Sequence, residues 1–227
     1  MASSISITID GSKIIAPEGE SLLYTALNNG CYIPHLCAIE GSSSLISACR
    51  LCFVEIEGQD DLVSACTAKI TQGMVVNTQS AKVLRLVRTG FELLMASHLV
   101  ECAACSSKGS CELQRIAKHL GIKLTSDRFR KIVNDVKADE SNPAFINDTR
   151  KCVLCGRCLW VCREQLGKNM LGFVHRGFDR VVATFADECE IEAKCRDCGE
   201  CTKVCPTGAL TAKFGERLVE FEGAASA

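Results

Sequence analysis

The spacing C-x2-C-x2-C-x3-C occurs twice in this chain, at Cys152, Cys155, Cys158 and Cys162 and again at Cys195, Cys198, Cys201 and Cys205, the last followed by Pro206. Three thiols at two-residue intervals can cup one small inorganic core, while the fourth, set off by three residues, reaches a second. Cys152, Cys155, Cys158 and Cys205 are therefore expected to hold one [4Fe-4S] cluster, and Cys162, Cys195, Cys198 and Cys201 another. A pair of zinc ions is the alternative, although zinc seldom needs a third cysteine two residues on and a fourth after three. Arg163 stands where a proline would follow the first copy, so the local loop there is left open.

Two further sets precede the repeat. Cys37, Cys49, Cys52 and Cys66 combine a short CRLC loop with one cysteine on either side, in a segment of strand character. That arrangement suits a planar [2Fe-2S] core, although its spacing differs from the plant-type C-x4-C-x2-C, and a four-cysteine zinc site remains the rival. His98, Cys102, Cys105 and Cys111 lie between two expected helices. A histidine near a helix end is more often a cap or surface residue, but three cysteines with no fourth nearby favour it as the fourth ligand of a [4Fe-4S] cluster. A neutral imidazole in place of a thiolate removes one negative charge and raises the potential. Of the 17 cysteines, Cys31 and Cys189 are then left as ordinary thiols.

With 47% hydrophobic but only 5% aromatic residues, the chain of 227 residues is read as two or three small units whose cores are partly inorganic. MASSISITIDGSK lacks a basic stretch followed by an apolar one, and no apolar run reaches the roughly 20 residues of a membrane span. The expected location is cytoplasmic, where so many cysteines would be metal ligands and not disulfides. The formal charge of −1 falls to about −8 once thiolates and cluster cores are counted, and the dispersed Lys and Arg offer no nucleic-acid surface. No G-x-G-x-x-G after a strand, phosphate loop or nucleophile set is present, so no catalytic residue and no flavin or nicotinamide site is expected. His35, His119 and His175 are read as structural or surface residues.

Along the chain, alternating apolar residues from Ile5 to Ile9, the Asp10-Gly11 turn and Ile14-Ile15 predict a β-hairpin. A short helix over Ser21 to Asn29 follows, then strands at Phe53 to Ile56, Leu62 to Cys66 and Met74 to Val76. Ser80 caps a helix running toward Leu99 with a stripe of Val83, Leu84, Val87, Phe91, Leu94 and Met95, and a second helix spans Cys111 to Leu120. The polar stretch from Thr125 to Asn147 is the linker candidate. The expected domains are 1–79, 80–140 and 141–227, the last built as two pseudo-symmetric halves.

The segments IPHLCAIEG with ACRLCFVEIEG, then SHLVECAACSSKGSCELQ, then RKCVLCGRCLWVC with KCRDCGECTKVCPTGAL, stand in the order of a known family. Over nearly its whole length the chain resembles the amino-terminal iron-sulfur region of the large G-type subunit of NADH dehydrogenase and of iron-only hydrogenases. It also resembles the separate diaphorase iron-sulfur subunit, U, of NAD-reducing nickel-iron hydrogenases. The resemblance implies an α+β chain with a β-grasp [2Fe-2S] ferredoxin domain, a helical domain whose [4Fe-4S] cluster has one histidine and three cysteine ligands, and a bacterial-type two-[4Fe-4S] ferredoxin domain.

It further implies docking on a flavoprotein that oxidises NAD(P)H and electron transfer toward a separate catalytic subunit such as a hydrogenase, formate dehydrogenase or other reductase. The sequence ends at FEGAASA soon after the last cysteine, so the terminal chemistry is expected on another polypeptide. This subunit would belong to an oxidoreductase without itself being catalytic. His98-x3-Cys102 looks closer to the dehydrogenase and iron-only hydrogenase forms than to the stand-alone nickel-iron diaphorase subunits. A freely diffusing polyferredoxin and a zinc-dependent interaction module are the rival readings.

Overall fold

The computed structural model describes residues 3–42, 46–125 and 128–213. The outermost residues of the first and third expected domains, including FEGAASA, and part of the expected linker lie outside them. Strands β1 (Ser4–Ile9) and β2 (Ser12–Pro17) form the antiparallel hairpin, with Ile9 opposite Ser12. Asp10 and Gly11 both take positive φ (47° and 81°), the geometry that matches the twist of a two-residue hairpin.

Helix α1 (Leu22–Asn28) then crosses the sheet, and β3 (Phe53–Ile56), β4 (Val63–Ser64) and β5 (Val75–Asn77) complete it in the order β2-β1-β5-β3-β4. Only β1 and β5 run parallel. The expected strand from Leu62 to Cys66 shrinks to two residues because the chain turns at once, Thr67 N and Ala68 N both donating to Ser64 O. Ile7, Ile9, Leu22, Leu23, Ala26, Val54 and Ile70 pack between sheet and helix, all at most 1% exposed.

Helix α2 (Ala81–Ala96) starts where Ser80 Oγ accepts from Val83 N at 3.3 Å. It stops short of Leu99, since Ser97 Oγ returns to Leu94 O and His98 turns inward. Val83, Val87, Phe91 and Met95 bury its stripe against Leu113, Ile116 and Leu120 of α3 (Glu112–Leu120), which ends on Gly121 at φ 64°. This second core also takes in Leu36, Cys37, Cys49 and Leu51 from before the helices, and Val153 and Cys155 from after them.

The polar stretch beyond α3 serves two purposes, and its end is not a linker. Lys131 Nζ and Ile132 N donate to Met95 O and Ala96 O at the close of α2. From Asn142 onward the chain enters the third region, where Ala144 and Phe145 are buried and β6 (Phe145–Asn147) pairs with the last described strand, β9 (Leu210–Ala212). Between them lie α4 (Arg157–Trp160), the hairpin of β7 (Leu171–Val174) and β8 (Val181–Thr184), α5 (Glu188–Cys195) and α6 (Glu200–Lys203). Asn147 Nδ2 donates to Val182 O at 2.9 Å and ties the two small sheets together. Where Arg163 replaces the expected proline, the chain runs on from α4 as a π-helix over Val161–Gln165.

Candidate metal centres

In the third region α4 and α6 each begin directly after a left-handed glycine, Gly156 at φ 77° and Gly199 at φ 61°. The glycine lets the chain bend sharply between the second and third cysteines of each copy, so that three sulfurs share a concavity. Cys152, Cys155, Cys158 and Cys205, with Val153, Val182, Thr207 and Leu210, line one cavity. Cys162, Cys195, Cys198 and Cys201, with Phe145, Met170, Leu171 and Lys168, line another. Each cavity thus takes three sulfurs from one copy of the repeat and the fourth from the other.

Burial pushes the Cys152 thiol up to about 11 and that of Cys155 up to about 12, and it raises Cys158 and Cys201 as well. In such apolar surroundings these groups would become thiolates only against a positive charge, which a bound iron core would supply. Backbone donors are already in place: Leu154 N lies 3.4 Å from Cys152 Sγ, and Met170 N 3.2 Å from Cys162 Sγ. Leu154 is held at φ 52°, a strained setting for a non-glycine residue.

The first set straddles two cores. Cys52 and Cys66 pack with the sheet, while Cys37 and Cys49 pack with α2 and α3. Cys37 Sγ donates to Cys49 Sγ at 3.5 Å, which raises Cys37 and lowers Cys49. Cys52 bonds Cys66 in the same sense, raising Cys52 and lowering Cys66, whose sulfur also lies 4.0 Å from Ser47 Oγ. The sulfurs therefore come as two close pairs. Arg50, between Cys49 and Cys52, sits at φ 53°.

His98 is 8% exposed, and its Nδ1 is buried without a hydrogen-bond partner. Burial lowers its pKa to about 4, against the opposing effect of the Lys151 backbone, so the ring is neutral and offers a lone pair. Cys102 opens a single 3-10 turn, and Cys111 caps the start of α3, where burial comes first among the influences raising its thiol and Cys105 and Cys102 add to it. A methyl group on Gly208 would lie 2.5 Å from Cys105 Sγ, so the third region closes over this set. Cys31 is half-buried against the core of the first region, and Cys189 lies exposed on α5.

Sequence reasoning did not single out Asn142, Lys151, Thr207 or Gly208. Asn142 is 2% exposed, its Oδ1 accepts from Ala144 N and its buried Nδ2 has no hydrogen-bond partner, while its side chain acts to lower the Cys195 thiol against the burial that raises it. Only the position of Thr207 and Gly208 just after Cys205 could have drawn notice. The roles of Lys151 and Asn142 depend on long-range contacts that spacing does not encode. Among the described residues, no helix is long and apolar enough to cross a membrane.

Three family profiles match consecutive parts of the chain. They are a 2Fe-2S iron-sulfur cluster binding domain at residues 2–81, the NADH-ubiquinone oxidoreductase-G iron-sulfur binding region at 88–125, and the ferredoxin-like domain of NADH-quinone oxidoreductase subunit 3 at 143–211. The HndD subunit of the NADP-reducing hydrogenase of Solidesulfovibrio fructosivorans is 37% identical over 92% of this chain and 36% of that protein. The alpha subunit of the NADPH-Fe(3+) oxidoreductase of Geobacter sulfurreducens is 33% identical over 92% of this chain and 24% of its own length. The G 2 subunit of the NADH-quinone oxidoreductase of Rhizobium meliloti is 34% identical over 91% and 24%. The chain thus spans about a third or less of the curated relatives it matches.

A solved chain of an NAD+-reducing [NiFe]-hydrogenase in the H2-reduced state superposes with a TM-score of 0.81 at 28% identity, covering 95% of this chain and 90% of that one. The chain carries 2Fe-2S and 4Fe-4S ferredoxin-like domains of mixed helix and sheet. With the three profiles in this order, it belongs to the family formed by the iron-sulfur region of the G-type subunits of NADH-quinone oxidoreductase and their hydrogenase counterparts.

Proposed function

We propose that the chain is the electron-relay subunit of an NAD(P)-linked oxidoreductase complex, placed between a flavoprotein that oxidises NAD(P)H and a separate terminal catalytic subunit such as a hydrogenase or formate dehydrogenase. It would hold four clusters in three units, 1–79, 80–140 and 141–227. A [2Fe-2S] core would sit on Cys37, Cys49, Cys52 and Cys66 in a β-grasp domain. One [4Fe-4S] core would sit on His98, Cys102, Cys105 and Cys111, a second on Cys152, Cys155, Cys158 and Cys205, and a third on Cys162, Cys195, Cys198 and Cys201.

The observation that carries this reading is the pair of cavities, each ringed by four cysteines drawn from both copies of the repeat. Clusters bound there would supply one-electron transfer. The chain's own residues would bind them as thiolates and imidazole, keep water away with Val153, Val182, Phe145 and Leu171, and steady the sulfur charge with the amides of Leu154 and Met170.

Size-exclusion of native extract tests the relay assignment. The chain should elute with a flavoprotein and a larger catalytic subunit, and NAD(P)H should bleach its visible absorption. Elution alone with full cluster content would point to a free polyferredoxin, and zinc without iron or sulfide would exclude both.

A further inference from the structure

The two cysteine-lined cavities of the third region are alike in sulfur and unlike in charge. Among the described residues lining the first, the polar side chains besides cysteine are Asn147 and Thr207, and none is charged. The second is lined by two lysines, Lys168 and Lys194. Lys194 is neutralised in place, since its Nζ pairs with Glu190 one turn earlier on α5. Lys168 has no carboxylate within ion-pair distance among the described residues. Its half-buried ammonium donates instead to Lys194 O at 2.9 Å, on the residue joined to Cys195. Its backbone is fixed as well: Lys168 N donates to Cys162 O at 2.8 Å, in a turn whose flanking residues Gly167 and Asn169 both take positive φ (63° and 54°). The lysine thus reaches from one expected ligand to the neighbour of another.

We propose that Lys168 sets the potential of the centre on Cys162, Cys195, Cys198 and Cys201: its uncompensated ammonium, held at the cavity wall, favours the reduced and more negative state of that centre over the oxidised one. This rests on the ligand sets proposed above. A one-electron reduction adds one negative charge to whatever the four sulfurs hold, and a fixed cation beside an apolar cavity stabilises the state of larger negative charge. The lining of the first cavity lacks such a cation, so the repeat is symmetric in ligands and asymmetric in electrostatics. An electron entering the third region is thereby biased toward the Lys168 side.

The test is an EPR-monitored redox titration of the iron-loaded full chain, with the two signals assigned by their altered g values in Cys198→Ser and Cys155→Ser. Lys168→Met keeps the length of the side chain and loses its charge, and the midpoint potential of the Cys198 centre should fall. At a fixed potential its reduced-to-oxidised ratio should drop about tenfold, which is about 59 mV for a one-electron couple. The Cys155 centre should move less. Lys168→Arg should hold the wild-type potential, while Lys168→Gln, which retains a donor for the Lys194 carbonyl but no charge, should titrate like Lys168→Met. An unmoved potential in a fully loaded Lys168→Met chain, or equal shifts in both centres, overturns the proposal. So does Lys168→Gln titrating like the wild type, or Lys168→Arg like Lys168→Met.

If Lys168→Met loses iron, Lys168→Gln is read in its place. If both lose it, retention of iron and of the wild-type potential by Lys168→Arg supports the proposal, and loss in all three overturns it. A wild-type chain without a signal that changes in Cys198→Ser would instead overturn the ligand sets and this proposal together.

Discussion

Among the described residues of the amino-terminal sheet, two of the sixteen buried apolar residues that pack together are cysteines, whereas in the carboxy-terminal region four of ten are. The first region closes its sheet mainly with isoleucine, leucine and valine, and Cys52 and Cys66 are minor members of that core. In the third region the sulfurs occupy the places a hydrophobic core would fill, and the strands around them, β6 with β9 and β7 with β8, are three or four residues long. Strand pairs of that size are marginal alone. Metal ligation as proposed would thus be an addition to a finished fold in one region and a structural component of the fold in the other.

The largest expected effect separates the two directly. Cys158→Ala should lose one cubane and open the third region, so that amide exchange at Phe145–Asn147 and Leu210–Ala212 approaches that of the unfolded chain. Cys52→Ala should lose the [2Fe-2S] core yet keep slow exchange in β1. Equal collapse in both variants would break the comparison. Leu22→Ala tests the other side, since removing a fully buried leucine should cost the first region about 2–5 kcal/mol whether or not iron is present. A denaturation midpoint that moved only in the iron-loaded chain would argue against a self-sufficient sheet.

The middle region should respond to pH. In the iron-free chain burial lowers the His98 pKa from the ordinary 6.5 to about 4, so below about 6.5 the unfolded chain takes up a proton that the folded one refuses. The stability present above 6.5 should therefore be lost as the pH falls toward 4, by about 3 kcal/mol in all. Exchange of α2 and α3 amides across that window, with His98→Gln as the flat control, measures it. Smallest is Asn142→Leu, which removes the polar side chain that lowers the Cys195 thiol against its burial. The centre on Cys162, Cys195, Cys198 and Cys201 should shift to a lower potential, with iron content unchanged.

Where local chemistry decides structure, the sequence is readable. Asp10-Gly11 marks the hairpin, and Ser80 with the stripe from Val83 to Met95 marks α2. The cysteine intervals foreshadow which sulfurs gather round each cavity. Reading fails where tertiary contacts overrule composition. Asn142 and Asn147 look like linker residues, yet each is buried because its amide serves a distant or local backbone group, Val182 O for one and Ala144 N for the other. The π-helix after Cys158 follows from the absent proline but could not be placed beforehand. The contact of Thr207 with Lys151 joins segments far apart in the chain, and no spacing rule reports it.

Mössbauer spectroscopy and iron counting on the reconstituted full chain, wild type and Cys158→Ala, test the four-cluster assignment most directly. Four clusters predict about 14 irons per wild-type chain, as one [2Fe-2S] and three [4Fe-4S] centres, and about 10 in the variant. An unchanged iron count in Cys158→Ala, or zinc in place of iron, would contradict that assignment.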